Sequence, residues 1–271
     1  MKQSTNGINM TEIDLLINPY NKQSLRVEKN KQEYVLTDSS GNEIPVIDGI
    51  PNFLTLEKTN GLNKTFQDFY DRASKINMAW VITSFLENTL VNKQRKEWMR
   101  NVEVRDGWKV LETSIGSGWN TNTLTANAQY FGLDISRGML SRCQKNKRKW
   151  KKNIKLYQCN AERLPFKDET FDTVFQVGGI NFFNDRKQAI EEMIRVAKPS
   201  AKIVIMDETE KMIKTYYQRT PILRKILKQN HIEQNRMIAP LELVPASMNE
   251  VATKLLFNNM MYVLSFRKPN Q

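Results

Sequence analysis

The chain has 271 residues, of which 40% are apolar and 26% charged. That is room for one large domain with or without a small one, and it excludes global disorder, a collagen and a coiled-coil rod. Basic residues exceed acidic ones by 41 − 29 = 12, a surplus that fits either an acidic partner such as nucleic acid or a plain solvated surface. Two cysteines (Cys143, Cys159), one histidine (His231) and no apolar run near 18 residues predict no disulfide framework, no bound metal, no membrane span and a reducing, cytoplasmic setting.

Residues 1–10 are polar and read as a frayed tail without the apolar core of a secretory signal. Residues 11–56 read as a small β-rich module, with strands at Tyr34–Leu36 and Ile44–Ile47 and turns at Asp38–Asn42 and Asp48–Pro51. Residues 57–104 form a helical linker or cap, in which Phe66, Phe69, Tyr70 and Ala73 share one helix face. From residue 105 to 271, strand and helix signals alternate. Strands are predicted at Lys109–Thr113, Tyr130–Asp134, Lys155–Cys159, Phe171–Val177 and Lys202–Asp207, with closing strands at Leu241–Val244 and Tyr262–Arg267. Helices are predicted at Thr121–Ala128, Gly138–Lys149 and Arg186–Ala197, with a stop at Lys198-Pro199-Ser200. A basic insertion over 211–239 reads as a lid. The repeating β-α order predicts an α/β fold, a mostly parallel sheet of seven strands with helices on both faces.

The segment Val110–Gly118 runs from a strand through small residues into a helix, which brings backbone N–H groups close to a ligand. Asp134 ends the next strand, 16 residues after Gly118, where a carboxylate suits ribose hydroxyls. Thr121 stands at the third glycine position of a dinucleotide loop, and there is no P-loop lysine.

These residues resemble the class I S-adenosylmethionine-dependent methyltransferases, in the group that includes the ubiquinone and menaquinone C-methyltransferases. Val110–Gly118, Phe131–Ser136 with Gly138-Met139-Leu140, Asn160–Phe166, Phe171–Phe175, Arg195–Pro199 and Tyr262–Pro269 carry the resemblance in order. It implies a Rossmann-like fold, S-adenosylmethionine as cofactor and S-adenosylhomocysteine as product. By the resemblance, Glu112 and the backbone from Ser114 through Gly116 to Gly118 hold the methionine moiety. Asp134 takes the ribose, Ile135 and Met139 pack the adenine, and Asn160 and Ala161 meet its edge. Gln176 and Val177 lie near the methyl donor, and the helix of Tyr70 lies over the cofactor. Glu112 has a second reading as a strand-end carboxylate that caps the loop. Two departures are Ser114, where the family has glycine, and Asn160, where it has aspartate.

Leu15–Lys22 resembles the first knuckle of a zinc ribbon found fused to methyltransferases or acting as their separate activator. The ligand positions would be Asn18, Asn21, Thr37 and Ser40, none a cysteine, so zinc is not predicted. Gly178–Phe183 follows the fourth strand and reads as acceptor-pocket lining, with Asn181 as a polar handle. Tyr217 and His231 in the lid are candidates for a general base; His231 also reads as a solvent-facing residue. The function expected is methylation of a small aromatic or quinone-like acceptor, with RNA methylation or a non-catalytic scaffold as the alternatives. The stretch Lys145–Lys152 could grip phosphates or be a solvated surface.

Overall fold

In the computed structural model, which describes residues 10–30, 33–56, 59–75, 89–212, 214–215 and 238–270, the chain opens with a short helix, α1 (Met10–Ile13), and an antiparallel sheet. That sheet runs β1 (Arg26–Asn30), β2 (Glu33–Thr37), β3 (Glu43–Ile47), β4 (Ile50–Pro51) in sequence order. The two strands predicted here lie inside β2 and β3. β1 has a single apolar residue, Val27, and its ladder to β2 makes a strand that its composition does not announce. Among the described residues, α2 (Gly61–Lys75) and α3 (Thr89–Met99) follow.

The central sheet comprises β5 (Lys109–Thr113), β6 (Gln129–Asp134), β7 (Ile154–Gln158), β8 (Phe171–Val177), β9 (Ala197–Glu208), β10 (Asn249–Leu256) and β11 (Met261–Arg267). Its order is β10-β11-β9-β8-β5-β6-β7. β5 to β9 are parallel, and the β10–β11 hairpin runs antiparallel to β9 through β11. Helices α4 (Trp119–Thr123), α5 (Arg137–Trp150) and α6 (Arg186–Val196) make the crossovers. Alternate residues feed two buried clusters, Leu111, Val174 and Ile203 in one, Val110, Phe175 and Val204 in the other. Strand order reverses beside β5, so the carboxyl ends of β5 and β8 flank a crevice suited to a ligand.

Three boundaries differ from expectation. Leu241–Val244 is no strand: Leu241–Leu243 is a 3-10 turn between Pro240 and Pro245, and the sheet edge is β10 instead. The helix expected over Thr121–Ala128 stops at Thr123, because Leu124 turns extended. α6 ends at Val196, and β9 takes in Lys198-Pro199-Ser200 where its register with β8 shifts and Ser200 has φ 61°.

The N-terminal module covers the β7 edge. Asn52 bridges Gln158, Leu16 bridges Phe166, and Lys167 N donates to Leu15 O at 2.9 Å. Leu36, Ile44 and Phe53 share one buried cluster with Phe131, Tyr157 and Phe166. Among the described residues no helix is long and apolar enough to cross a membrane.

Candidate active site

The loop after β5 folds back under left-handed residues: Ser114, Gly116 and Gly118 have φ of 73°, 53° and 86°. Ser114 N and Ile115 N both donate to Leu133 O, at 2.9 and 2.8 Å, which pins the loop to β6. Two glycines are needed for space. A Cβ on Gly118 would sit 2.7 Å from Cys143 Sγ, and one on Gly132 would sit 2.2 Å from Ile115.

Glu112 is fully buried under this loop. Asn120 Nδ2 donates to its Oε1 at 3.0 Å and Thr121 Oγ1 to its Oε2 at 2.5 Å. Arg95 Nε in turn donates to Asn120 Oδ1 at 3.1 Å. Burial pushes the Glu112 carboxyl up to about 7 against those hydrogen bonds and the Arg95 charge. The carboxylate therefore fastens the glycine loop to α4, and Thr121 takes its place in the loop for this contact.

Asp134 leaves the end of β6 partly exposed, beside half-buried Ile135 and Met139. Gly116 N donates to its Oδ2 at 2.8 Å and Ser136 N to its Oδ1 at 2.9 Å. Burial pushes its carboxyl up to about 6, opposed by these backbone bonds and reinforced by the charge of Asp71. Asn160 follows β7, half-buried, with its Oδ1 accepting from Glu162 N at 3.0 Å; Ala161 beside it is buried. An amide oxygen has two lone pairs, so one acceptor position on Asn160 is left over.

At the end of β8, Val177 and Gly178 are half-buried, and a Cβ on Gly178 would meet nothing within 4 Å. Gln176 is fully buried, and neither its Nε2 nor its Oε1 has a partner among the described residues. Asn181 is also fully buried, but its side chain is engaged: Tyr262 Oη donates to its Oδ1 at 3.0 Å and its Nδ2 donates to Glu208 O at 2.8 Å. Asp207 anchors the same turn, accepting from Gly179 N at 2.9 Å and Asn181 N at 3.1 Å. The structure thus ties Asn181 into the turn between β8 and α6.

α2 walls the site. Its Phe66 ring lies 4.3 Å from the Phe182 ring, and Tyr70 lies 6.4 Å from Phe66 with 36% of its surface exposed. Asn63 of its first turn donates to Glu162 Oε1 at 2.8 Å, and Gln67 Nε2 donates to Ile135 O at 3.1 Å. Tyr217, His231 and nearly all of the 211–239 lid lie outside the described residues, as does the tail before Met10.

The structure also reveals residues that the motifs did not single out. In the N-terminal module, Asn18, Asn21 and Asn42 all converge on the Asp38 carboxylate, at 2.7, 2.8 and 2.9 Å; Ser40 joins through its backbone N at 2.9 Å, and the Thr37 hydroxyl has no partner among the described residues. The run Asp38-Ser39-Ser40-Gly41-Asn42 carries a turn signal that marks such an Asx arrangement. Asp207 and Asp71 have no motif to mark them.

A strand–glycine loop–helix with a carboxylate ending the next strand, in this strand order, defines a nucleotide-cofactor fold. A methyltransferase domain model matches residues 111–205. Demethylmenaquinone methyltransferases are similar: that of Oceanobacillus iheyensis is 28% identical over 189 residues (65% of this chain, 77% of the relative). That of Shouchella clausii is 30% identical over 166 residues (59% of this chain, 68% of the relative). Phosphoethanolamine N-methyltransferase 2 of Haemonchus contortus, in complex with S-adenosyl-L-methionine, shares the fold. It has a TM-score of 0.62 and 13% identity, over 90% of this chain and 71% of that one. So does a chain in the complex of the Haloferax volcanii Trm112 methyltransferase activator with a putative methyltransferase, at a TM-score of 0.53 and 13% identity, over 74% of this chain and 98% of that one. The chain belongs to the class I S-adenosylmethionine-dependent methyltransferases.

Proposed function

We propose that the chain transfers a methyl group from S-adenosylmethionine to a small, apolar, ring-bearing acceptor of the quinone class. The observation that supports this best is the aromatic wall, Phe66 on Phe182 with Tyr70 beside it, at the carboxyl ends of the strands next to Gly178. The names of the demethylmenaquinone methyltransferase relatives point the same way.

The residues present fit the cofactor. Gly116 leaves room, since a Cβ there would make only ordinary contact with Met139 Cε at 3.5 Å. In this reading the backbone of Ser114, Gly116 and Gly118 receives the methionine moiety, with Glu112 holding the loop in shape. Asp134 receives the ribose, Ile135 and Met139 flank the adenine, and Asn160 with Ala161 meets its edge. Gln176, Val177 and Tyr70 border the reacting end. The cofactor supplies a methyl group on a sulfonium, already electrophilic. The protein's part is placement: the strand ends fix one partner, and α2 with the Gly178–Phe183 turn fixes the other and excludes water. Asn181 contributes by holding that turn. Tyr217 and His231 remain the proposed bases for an acceptor that must lose a proton.

RNA is a weaker substrate reading. Lys145–Lys152 closes α5 at the amino end of the sheet, opposite Asp134. Two of its cations serve the fold: Lys147 Nζ donates to Ile154 O at 2.5 Å and Lys152 Nζ to Thr121 O at 2.6 Å.

The test is calorimetric titration of the wild type and Asp134→Ala with S-adenosylmethionine and S-adenosylhomocysteine, then labelled methyl transfer to a short-chain demethylmenaquinol. Binding by the wild type that falls at least about tenfold in the variant, with a charge-assisted pair lost, is expected, together with a labelled quinol. No cofactor binding by the wild type overturns the enzyme reading. Transfer to RNA alone, with steeply salt-dependent RNA binding, overturns the quinone reading.

A further inference from the structure

We propose that Asp71 is a positioning residue for the cofactor: through Ser136 and Gly138 it fixes the β6–α5 turn, and so couples the acceptor-side wall to the cofactor side. This rests on the reading that Asp134, Ile135 and Met139 hold the cofactor.

Ser136 Oγ donates to Asp71 Oδ1 at 2.6 Å, and Gly138 N donates to the same oxygen at 2.9 Å. Ser136 is fully buried and works in two further directions. Its Oγ accepts from Met139 N at 3.1 Å as the cap of α5, and its N donates to Asp134 Oδ1. One carboxylate on α2 therefore orients the serine that orients both Asp134 and Met139. The helix repeats the contact a turn either side. Gln67 reaches Ile135 O, and Arg142 Nη2 donates to Ser74 O at 3.3 Å.

Residues 67, 71 and 74 make one stripe of α2, at spacings of four and three. Residues 66, 70 and 73 make the adjacent stripe, and the Phe66 ring there packs against Phe182 at a tilt of 31°. A rigid helix carrying both stripes cannot leave one ligand's side without leaving the other's. Close approach is built into the sequence at Gly138, where a Cβ would lie 1.8 Å from Ser74 Oγ and 2.6 Å from Ser74 Cβ. The contact is geometric more than electrostatic, because the Asp71 charge opposes ionisation of Asp134.

The experiment titrates the full chain with S-adenosylhomocysteine for Asp71→Ala, Asp71→Asn, Gly138→Ala and Gly138→Ala with Ser74→Gly. Asp134→Ala is the control. Asparagine keeps an acceptor oxygen for Ser136 and Gly138, and alanine does not. Asp71→Ala is expected to weaken binding about tenfold and Asp71→Asn less than about threefold, two hydrogen bonds being lost in the first. Gly138→Ala improves intrinsic helix propensity, yet its methyl pushes α2 away, so it is expected to weaken binding similarly. Adding Ser74→Gly removes the clashing Cβ and restores it. Wild-type affinity in Asp71→Ala and Gly138→Ala, with affinity lost in Asp134→Ala, overturns the proposal and leaves the cofactor site standing. Wild-type affinity in Asp134→Ala overturns both. If Asp71→Ala does not fold, the Gly138 and Ser74 pair decides: rescue supports the proposal, and wild-type affinity in Gly138→Ala overturns it.

Discussion

Asp38 in the N-terminal module and Glu112 under the glycine loop are both fully buried carboxylates, and the protein treats them in opposite ways. Asp38 accepts five hydrogen bonds, from Asn18, Asn21 and Asn42 side chains at Oδ2 and from Ser40 N and Asn42 N at Oδ1. Glu112 accepts two from side chains, Asn120 and Thr121. Burial raises both pKa values. At Asp38 the bonds from Asn42, Asn21 and Asn18 outweigh it and hold the carboxyl well below the usual range. At Glu112 burial wins and the carboxyl rises to about 7. The module gathers amides around one anion, so hydrogen bonding crosslinks the Asn18–Asn21 turn to the Asp38–Asn42 turn. The loop carboxylate is left short of donors, and its ionised form is costly.

The sharpest way to break that contrast is Asp38→Ala. It strands the buried Asn18 amide together with the exposed Asn21 and Asn42 amides and two backbone N–H groups, and each donor left unsatisfied in the interior costs about 1–3 kcal/mol. Because the module shares its core with the sheet, the loss is expected in the whole-chain thermal midpoint. A destabilisation of less than about 1 kcal/mol would show that the cluster is not what holds these two turns together.

The second prediction uses pH, and the two carboxylates have opposite signs. The Asp38 pKa is lowered on folding, so its stabilisation is present above its ordinary value of 3.8 and is lost as pH falls below it. The Glu112 pKa is raised from 4.5 to about 7, so the native state prefers its protonated form. Stability is therefore lost as pH rises from about 4.5 through about 7, by on the order of 3 kcal/mol in all. Glu112→Gln cannot ionise and is expected to flatten that slope between pH 5 and 8 in denaturant titrations. An unchanged slope in the variant would assign the titration to another group.

Much of this architecture is legible in the order of residues alone. Strands β5 to β9 and β11 announce themselves as short apolar runs between turn signals, and Ser114, Gly116, Gly118 and Asp134 stand where a nucleotide loop needs them. What stays hidden is set by tertiary contact. β1 is a polar edge strand, and β10 is an exposed edge strand whose apolar residues, Val251-Ala252 and Leu255-Leu256, fall in adjacent pairs without alternation. Asp71 and Asp207 are single carboxylates whose partners lie 65 and 26 residues away in the chain. No local pattern distinguishes an aspartate that will accept from a distant serine from one that will face water.

Gln176 sharpens the comparison from the unsatisfied side. It is the ladder partner of Thr113, and neither amide end nor the Thr113 hydroxyl has a partner among the described residues. Each such orphan costs about 1–3 kcal/mol. Gln176→Met keeps the volume and removes both polar atoms, so it is expected to stabilise the cofactor-free protein by about 1–2 kcal/mol. If a ligand or ordered water satisfies the amide in the complex, the gain shrinks when S-adenosylmethionine is present. A gain that is the same with and without cofactor would remove Gln176 from the reacting end.

The smallest expected effect belongs to Ser114, which departs from the glycine of the loop pattern that the sequence resembles. Its φ of 73° is left-handed, where a Cβ crowds the following carbonyl and costs roughly 1 kcal/mol. The loop uses its backbone N, which donates to Leu133 O. Glycine can make that backbone bond equally well. Ser114→Gly is therefore expected to gain up to about 1 kcal/mol from relief of strain, offset in part by the greater freedom of glycine in the unfolded chain. Cofactor affinity should stay within about twofold if the loop binds through its backbone, since so small a change is under about 0.5 kcal/mol. A loss of about tenfold or more, about 1.4 kcal/mol, would instead make the Ser114 hydroxyl a contact of the methionine moiety. The departure from the glycine pattern would then be an adaptation of the site, and its strain, like the partly compensated burial of Glu112, would belong to binding and not to folding.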